Sequence, residues 1–599
     1  MKVFVSMWHL GSFRMYEPVL RELAARGHEL HLALGRAEAL GWSGALDTLV
    51  ADHPTITWSR LSPPSAAFWA EVAKTLRLWA DYLRYFHPDY DRTPKLKSRA
   101  GERLPRRLVR IGESGGYRDP EKRRRLLARL RALECALPPV REIEQELRER
   151  RPDLVLVTPL IYLGSSQFEV LRAALAQGIR TAFAVGSWDH LSSKALIRDM
   201  PHRVLVWNQT QRDEAVRLHG VPQDRVVVTG AQCYDQWFGR TPGRSRAAFC
   251  ARVGLRDDRP FFLYVCSALF WGSPIEAEFV RTWVQRLRAS SDSRLRDAAV
   301  LIRPHPARMS EWKTIDLSPF PHVTLYGSNP VDAGSKDDYF ESLFYSAGVV
   351  GLNTSAFLEA AIVGKPVFTV LLPEFQENQE GVLHFHYLFS VGGGVLRASR
   401  SFEAHHTQLA SVLQQPPERP GEQFVREFIR PQGLDRPATP IFCDAVEDLL
   451  RSPAPAPARS PIRFTVLRWA MHPVLRVLRA IYGAELIRDD WSRKETEHRR
   501  RHEAHRRERL ARRRALERNK REEALGRARK QADREAAYGA RAAARASAVE
   551  EKARLKRLKR QSKAARIRAR HRADWRTRLK RHAVSWLRRV RSGDRGQAA

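Results

Sequence analysis

Between residues 1 and 450, short apolar runs alternate with segments of helical period, and each apolar run ends at a polar corner. "VVGLNTSAFLEAAIVGKPV" (349–367) shows the pattern: an apolar run, the corner Asn353-Thr354-Ser355, and at once a helical segment. Strands that are apolar throughout are buried on both faces, as in parallel sheets, whose strands are joined by crossover helices. The alternation therefore predicts an α/β fold with doubly wound sheets.

The alternation occurs twice, so we expect two Rossmann-like domains in tandem. The first spans 1–240 and is interrupted at about 66–150 by a stretch rich in Arg, Leu and aromatic residues, which predicts a helical insertion. The second spans 241–452. A chain of 599 residues is too long for one core. Two such domains place a crevice between them, facing the carboxyl ends of the strands.

Beyond the second domain the composition changes. "PAPAPARSP" (453–461) predicts an extended linker. Residues 462–487 predict a basic amphipathic helix, and 488–599 a basic tail that is helical or disordered. The expected apolar face of the amphipathic helix consists of Leu467, Met471, Val474, Leu478 and Ile481.

The net charge of +37 is concentrated in this tail. From Trp491 onward there are 39 basic and 13 acidic residues, which favours contact with anionic lipid, nucleic acid or an acidic polymer. We favour an anionic membrane surface, because Tyr538, Trp575 and Trp586 are too few aromatics for base stacking. The alternative for 462–487 is a helix packed across the two domains. The tail lacks a sustained apolar seam, so a solvated single helix is favoured over a coiled coil.

The five cysteines are scattered and no CxxC pair occurs, which predicts reduced thiols in a cytoplasmic protein. The first residues do not form a signal peptide, and no apolar stretch of about 20 residues predicts a membrane span. The basic C-terminal region extends this prediction to a peripheral position on the inner face of the cell membrane.

Polar corners at the strand ends carry the candidate chemistry. Thr354 and Ser355 can cap a helix and donate hydroxyl hydrogen bonds to phosphate, and Glu359, about one turn later, can accept from a ribose diol. In "LIRPHPARM", Arg303 suits phosphate contact and two prolines fix the backbone around His305. The structural alternatives are an ordinary helix cap, a solvated glutamate and a proline turn.

"SWDHLSSK" (187–194) places an acid and a base side by side, Asp189 and His190, at the end of a strand in the first domain. The alternative is a capped turn. His384 and His386 alternate in a loop of the second domain, but without a third ligand they do not predict a metal site.

These segments, together with "VVVTGAQCYDQW", resemble GT-B glycosyltransferases over about residues 1–450. The likeness is greatest to bacterial capsule glycosyltransferases and to the glycerophosphotransferases of teichoic acid synthesis. It implies that the C-terminal domain binds a nucleotide-activated donor and the N-terminal domain the acceptor. It also implies that no metal or cofactor is needed, the nucleotide-sugar being a substrate, because helix dipoles and basic groups neutralise the leaving diphosphate.

The resemblance also implies roles for individual residues. His9, in the loop after the first strand, is the candidate catalytic base, with Asp189 as its rival. The loop lacks the fuller Gly-His-x-x-Pro pattern, and the structural alternative for His9 is packing beside Trp8. The implied donor-binding residues are Arg303, His305, Asn353, Thr354, Ser355 and Glu359.

The sequence thus predicts a metal-independent glycosyltransferase that acts on a lipid-linked or polysaccharide acceptor. Two alternatives remain within the same resemblance: a CDP-glycerol glycerophosphotransferase-like enzyme and a sugar-nucleotide epimerase-like enzyme. A third is a non-catalytic basic protein that binds membrane or nucleic acid.

Overall fold

The N-terminal domain is built on seven parallel strands in the order β3-β2-β1-β4-β5-β6-β7. The computed structural model describes residues 1–35, 43–61, 67–270, 272–415, 418–458, 462–482 and 490–591. The strands are β1 Lys2–Met7, β2 Glu29–Leu34, β3 Ile56–Arg60, β4 Leu154–Thr158, β5 Arg180–Ala184, β6 Arg203–Val206 and β7 Val226–Val228. The helices are α1 Phe13–Ala25, α2 Ser43–Asp52, α3 Ala67–Arg84, α4 Pro94–Gly101, α5 Arg106–Ser114, α6 Pro120–Ala136, α7 Arg141–Arg150, α8 Gln167–Ala176, α9 His190–Ser193 and α10 Gln209–His219.

The C-terminal domain has six parallel strands in the order β10-β9-β8-β11-β12-β13. Its strands are β8 Phe261–Val265, β9 Ala299–Arg303, β10 Val323–Leu325, β11 Gly348–Val350, β12 Val367–Val370 and β13 Leu396–Ser399. Its helices are α11 Arg246–Val253, α12 Glu276–Arg288, α13 Ser293–Asp297, α14 Ala333–Phe344, α15 Ala356–Ile362, α16 Leu383–Ser390, α17 Phe402–Gln414 and α18 Glu422–Phe428. The predicted fold class is confirmed: the chain has two Rossmann-like α/β domains.

The apolar runs become central strands because helices cover both faces of each sheet. Every residue of β4, β8 and β9 is buried, as expected for strands without a solvent-facing side. In each sheet the strand order reverses once, between β1 and β4 in the first and between β8 and β11 in the second. Ligands of doubly wound sheets bind outside the carboxyl ends of strands at such reversals.

The helical insertion is joined to the first sheet by buried ion pairs. The segment predicted at 66–150, of which residue 66 lies outside the described residues, contains α3 to α7. Arg77 of α3 donates from Nε to Glu134 of α6 at 2.5 Å. Its other two nitrogens donate to the carbonyl of Ser165 and to the carboxylate of Glu169. The side chains of Arg77 and Glu134 are buried, and that of Glu169 is largely buried. These contacts fix the insertion against α8.

The chain returns to the first domain after completing the second. Helix α19, Ala438–Arg451, buries Phe442 and Val446 in the core formed by β1, β2 and α1, although the sequence boundary at 452 groups it with the second domain. Asp235 fixes its start: the carboxylate accepts from the backbone N–H of Ala438 and Thr439 and from Arg430. The helix therefore ties both domains together.

Two further helices follow. The amphipathic helix predicted at 462–487 is α20, Ile462–Tyr482, and residues 483–487 lie outside the described residues, as do 459–461 of the linker. The tail forms one long helix, α21, Asp490–Arg591, so the helical alternative for 488–599 is confirmed where the tail is described. By contact density the chain divides into two units, Met1–Thr496 and Glu497–Ala599. Among the described residues, no helix has both the length and the hydropathy of a membrane span.

Candidate functional site

The predicted site residues lie at or after the carboxyl ends of strands in both domains. In the first domain the reversal lies at β1, which leads to His9, and at β4, which leads to Tyr162. In the second it lies at β8, which leads to Ser267, and at β11, which leads to the corner at Asn353. The backbone N–H of Asn353 donates to Ser267 Oγ at 3.1 Å, which joins the two strand ends of the second domain.

His9 belongs to an aromatic cluster on the first domain. Its Nε2 lies 3.4 Å from the hydroxyl of Tyr162, and the two ring centroids are 6.1 Å apart. The ring of Tyr162 also lies against His190, at 6.4 Å, and burial raises the pKa of Tyr162 to about 12. Both histidines of the predicted catalytic loops therefore flank one tyrosine, and this hydroxyl keeps its proton at neutral pH.

Asp189, the rival base, is held as a carboxylate by its neighbours. It accepts from Ser187 Oγ at 2.6 Å and Ser193 Oγ at 3.2 Å, and forms an ion pair with Lys194 at 3.0 Å. Burial alone would raise its pKa, but Lys194 and the two histidines His190 and His384 hold the pKa well below its usual value. A carboxylate so fully paired is a weak base, and its contacts shape the loop.

Arg14 is a candidate site residue that the sequence did not predict. It is exposed at the second position of α1, and its charge acts on Tyr162 and Tyr234 in the first domain and on His305 and Glu359 in the second. Burial shifts the pKa of each of these groups the most, and the charge of Arg14 has a smaller effect on the same pKa. Arg14 lies just after the β1 loop that contains His9, and its charge reaches titratable groups of both domains.

A signal for Arg14 existed in the sequence. The N-terminal end of a helix carries a partial positive charge, so an arginine in the first turn is destabilising unless an anion binds beside it. The first turn of α1 contains no acidic residue to compensate.

His305 contributes a hydrogen-bond donor from the second domain. Burial, aided by Arg308 and Arg14, lowers its pKa to about 4, so the ring is neutral at physiological pH. Its Nδ1 accepts from the backbone N–H of Ala307 at 3.3 Å. A neutral imidazole that accepts at Nδ1 carries its proton on Nε2, which can donate to a phosphate oxygen.

The corner after β11 is more tightly held by the protein, and the helix that follows it is shorter, than the sequence suggested. Asn353 is engaged by the protein, since its side chain donates to the carbonyl of Asn378 at 2.5 Å. Thr354 and Ser355 are half-buried, and Thr354 Oγ1 accepts from the N–H of Ala356 at 3.3 Å. Helix α15 has only seven residues, so its dipole is weak, and the hydroxyls and Arg14 carry more of any anion binding than expected.

Glu359 lies at the centre of the site on the second domain. Its Oε2 accepts a hydrogen bond from the hydroxyl of Tyr339, and it is half-buried. Burial raises the pKa of Glu359 to about 7, although Tyr339 and Arg14 oppose this shift. A carboxyl group with this pKa, at the position predicted to hold a ribose, changes charge near neutrality.

Arg303 is placed beneath this pair and not at the surface. Its guanidinium carbon lies 5.1 Å from the centre of the Tyr339 ring, and the side chain is buried. It donates to Ser342 Oγ at 3.0 Å and to the carbonyls of Asp338 and Ser328 at longer distances. The direct phosphate contact expected of Arg303 is therefore not available in this arrangement, and Arg303 supports Tyr339 instead.

Aromatic and polar contacts hold the two domains together beside the site. Trp188 of the first domain packs edge-on against His384 of the second, with ring centroids 4.6 Å apart. Lys95 of the insertion pairs with Glu377 at 3.0 Å. His384 thus serves the domain contact, and the described residues contain no cluster of three or more His, Cys, Asp or Glu side chains suited to a metal ion.

These features define a two-domain α/β protein with candidate site residues near the strand-order reversal of each sheet. No protein-family model matches the chain, and no curated protein matches it by sequence. Similar solved structures include the UDP-GlcNAc 2-epimerase from Neisseria meningitidis bound to UDP-GlcNAc, at 12% identity and a TM-score of 0.41, covering 75% of this chain and 100% of that one.

Two glycosyltransferases are also among the similar structures. One, from Rickettsia africae, has 10% identity and a TM-score of 0.39, covering 82% of this chain and 99% of that one. The other, WaaG, a glycosyltransferase involved in lipopolysaccharide biosynthesis, has 12% identity and a TM-score of 0.40, covering 75% and 100%. Similarity at this level does not extend to activity, for which the side chains of the site are the guide.

Proposed function

We propose that this chain is a glycosyltransferase that moves a sugar from a nucleotide-sugar to an acceptor hydroxyl, without a metal ion. The acceptor oxygen bonds to the anomeric carbon, the bond from that carbon to the diphosphate breaks, and the acceptor proton passes to a base. The diphosphate leaves with the bonding electrons, so the site must stabilise negative charge at that point.

The charge of Arg14 carries this proposal. It is an exposed guanidinium on the first domain that acts on Glu359 and His305 of the second. A cation between two domains, beside neutral donors and a carboxyl group, suits a ligand that has an anionic diphosphate next to a diol. A guanidinium binds phosphate oxygens in a bidentate manner and supplies the positive charge otherwise provided by a metal.

The donor then lies along the strand ends of the second domain. Glu359 accepts from the ribose hydroxyls, while Thr354, Ser355 and the Nε2–H of His305 donate to the diphosphate. Arg303 acts at one remove, since it packs against Tyr339, which holds Glu359.

The acceptor approaches from the first domain, where His9 is the proposed base. Its Nε2 is directed towards Tyr162 and lies in the same cluster as Arg14. We assign the acceptor to the lipid-linked or polysaccharide class, and the cellular position to the cytoplasmic side of a membrane. Nucleic acid is the less favoured partner of the basic C-terminal region.

Donor titrations test the proposal directly. UDP-, GDP-, CDP- and CMP-linked sugars and CDP-glycerol are titrated calorimetrically into the full chain, and one class of nucleotide-sugar is expected to bind. Arg14→Met should weaken that binding about 10- to 100-fold, because a hydrogen bond to a charged group contributes about 1.5–3 kcal/mol. Arg129→Met, at an exposed arginine of α6, is the matched control and should bind normally.

Three outcomes would redirect or overturn the proposal. Binding of CDP-glycerol alone would indicate glycerophosphoryl transfer, and conversion of the bound sugar without an acceptor would indicate epimerisation. Binding of none of the compounds would leave the site without a nucleotide donor and would refute the proposal.

Donor affinity is also expected to depend on pH through Glu359. Its pKa is raised to about 7, so the carboxylate that accepts from the ribose forms as the pH rises through 7. From pH 6 to pH 8 the ionised fraction grows from about 10% to about 90%, so affinity should rise up to about tenfold. A nucleotide-sugar is the ligand for this measurement because none of its phosphate groups titrates between pH 6 and pH 8. Any change in affinity over that range then comes from the protein.

Glu359→Gln provides the control for this measurement. The pKa values of Glu214 and Glu276, both buried, are raised to about 8 and overlap the same range. If the glutamine variant keeps the full pH dependence, these groups and not Glu359 are responsible, and the ribose assignment is wrong.

A further inference from the structure

Helix α20 presents an apolar face that no part of its own unit covers among the described residues. Ile462, Val466, Trp469 and Val477 are spaced so that they share one side of the helix. Their exposed fractions are 83%, 62%, 79% and 56%. We call these four residues the outer face of α20. A soluble domain rarely exposes a tryptophan in the middle of an aliphatic stripe.

The opposite side of α20 is attached to the insertion. Arg468 donates from Nε to the carbonyl of Ala136 at 2.7 Å and from a terminal nitrogen to that of Leu137 at 3.3 Å. His472 lies against Trp69, with ring centroids 5.7 Å apart. The helix is therefore docked at the end of α6, and its outer face has a fixed direction relative to the first domain.

This arrangement differs from the apolar face expected from the sequence. Leu467 and Met471, two members of that face, are half-buried, whereas Val474 is exposed. The side chains of the other two members are not among those described. The expected membrane-facing stripe thus in part faces the protein, and the neighbouring stripe is the exposed one.

Positive charge surrounds the outer face. Arg463 and Arg476 are exposed on either side of it, and α20 contains no acidic residue. Helix α6, against which α20 is docked, exposes five further basic side chains: Lys122, Arg124, Arg125, Arg129 and Arg131. Three of them form ion pairs, Arg124 and Arg125 with Glu121 and Arg131 with Asp199. An apolar stripe with a central tryptophan and a basic rim matches the interface of an anionic bilayer, in which the ring lies at headgroup depth.

We propose that the outer face of α20 inserts into the interfacial region of an anionic membrane and thereby orients the first domain towards the bilayer. A second copy of the chain fits less well, since a two-fold contact would bring arginine rims of the same sign together. Nucleic acid fits less well, because its phosphates bind positively charged side chains and the centre of this face has no charged side chain. The inference goes beyond the proposed function and does not depend on it.

Membrane docking here would place the insertion end of the first domain next to lipid headgroups. Under the proposed function, an acceptor with a lipid anchor would then reach this domain from the bilayer surface.

The test measures where the outer face lies when the full chain is bound to vesicles. Val466→Cys is labelled with an environment-sensitive fluorophore in a Cys135→Ser background, because the other four cysteines are buried. With vesicles of phosphatidylcholine and phosphatidylglycerol, the emission should shift to the blue and be quenched by lipid-embedded quenchers. The same label at Ser562 of α21, an exposed position outside the outer face, is the control: a tail held at the headgroups by charge alone should leave this label unquenched.

A second measurement separates α20 from the basic tail. At about 0.5 M salt the Debye length falls to about 4 Å, so electrostatic binding of the tail is largely screened. The unmodified chain should retain vesicle binding that Trp469→Glu lowers at least about tenfold. Trp58→Glu, at another exposed tryptophan, should retain it. Donor titration of Trp469→Glu should be unchanged, so failure of this inference is distinguishable from failure of the donor site.

Each remaining outcome decides against the proposal. If the protein sediments with vesicles but the label at residue 466 shows no blue shift, the tail alone binds lipid. A blue shift without vesicles that grows with protein concentration would identify a second copy as the occupant. A shift induced by duplex DNA in place of vesicles would identify nucleic acid.

Discussion

His9→Ala is expected to lower kcat about 10²- to 10⁴-fold, because a positioned general base usually contributes a factor of this size. The donor dissociation constant should stay within about twofold of that of the unmodified chain. His9 follows β1 and lies 3.4 Å from the Tyr162 hydroxyl, on the domain assigned to the acceptor. Its loss removes proton acceptance without touching the donor contacts of the second domain. Transfer to acceptor under saturating donor, with donor affinity measured separately, checks both halves of the prediction.

Asp189→Asn is the informative comparison for His9→Ala. Asparagine keeps the shape of the side chain but breaks the ion pair with Lys194, so a moderate loss is expected through the loop. The pKa of Asp189 is held well below its usual value, which makes it a poor proton acceptor. If Asp189→Asn abolishes turnover and His9→Ala does not, the base has been assigned to the wrong residue.

Glu134→Ala is expected to destabilise the first domain by about 3 kcal/mol, the lower end of the usual cost of breaking a buried ion pair, because each arginine keeps a second carboxylate. Glu134 accepts from Arg77 at 2.5 Å and lies 3.6 Å from Arg198, and all three side chains are buried. Without this carboxylate, Arg77 would keep Glu169 and Arg198 would keep Asp81, so two buried guanidinium groups would each lose one of their carboxylate partners. Urea unfolding followed by circular dichroism measures the change.

Glu149→Ala, at an exposed glutamate of α7, is the control and should leave the urea midpoint nearly unchanged. Equal midpoints for Glu134→Ala and the unmodified chain would show that the insertion is not held by its buried ion pairs. The long α21 helix contributes its own circular dichroism signal, so tryptophan fluorescence is recorded in parallel.

The fold was predictable because its signals are local. β4 is "LVLVT" and β8 is "FFLYV", and an apolar run of five residues followed by a helical segment has few arrangements besides a covered parallel sheet. Their order of pairing follows from right-handed crossovers. The sequence thus supported two tandem domains and the strand ends at which His9 and Asn353 are found.

The site was only partly predictable because it depends on contacts between distant segments. Arg14 and Glu359 are far apart in sequence, and the charge of one acts on the other only in the folded protein. Arg303 was expected to contact phosphate, but its side chain is buried against the ring of Tyr339. The direction of α20 depends in the same way on the carbonyls at the end of α6, which no helical pattern within 462–482 could reveal.

A crystal structure of the full chain with its nucleotide-sugar bound would show where the diphosphate lies. We expect diphosphate oxygens within about 2.7–3.2 Å of the Arg14 guanidinium and of the Thr354 or Ser355 hydroxyl, with the ribose at Glu359. A nucleotide bound elsewhere, or a diphosphate held by the second domain with Arg14 turned away, would contradict this expectation.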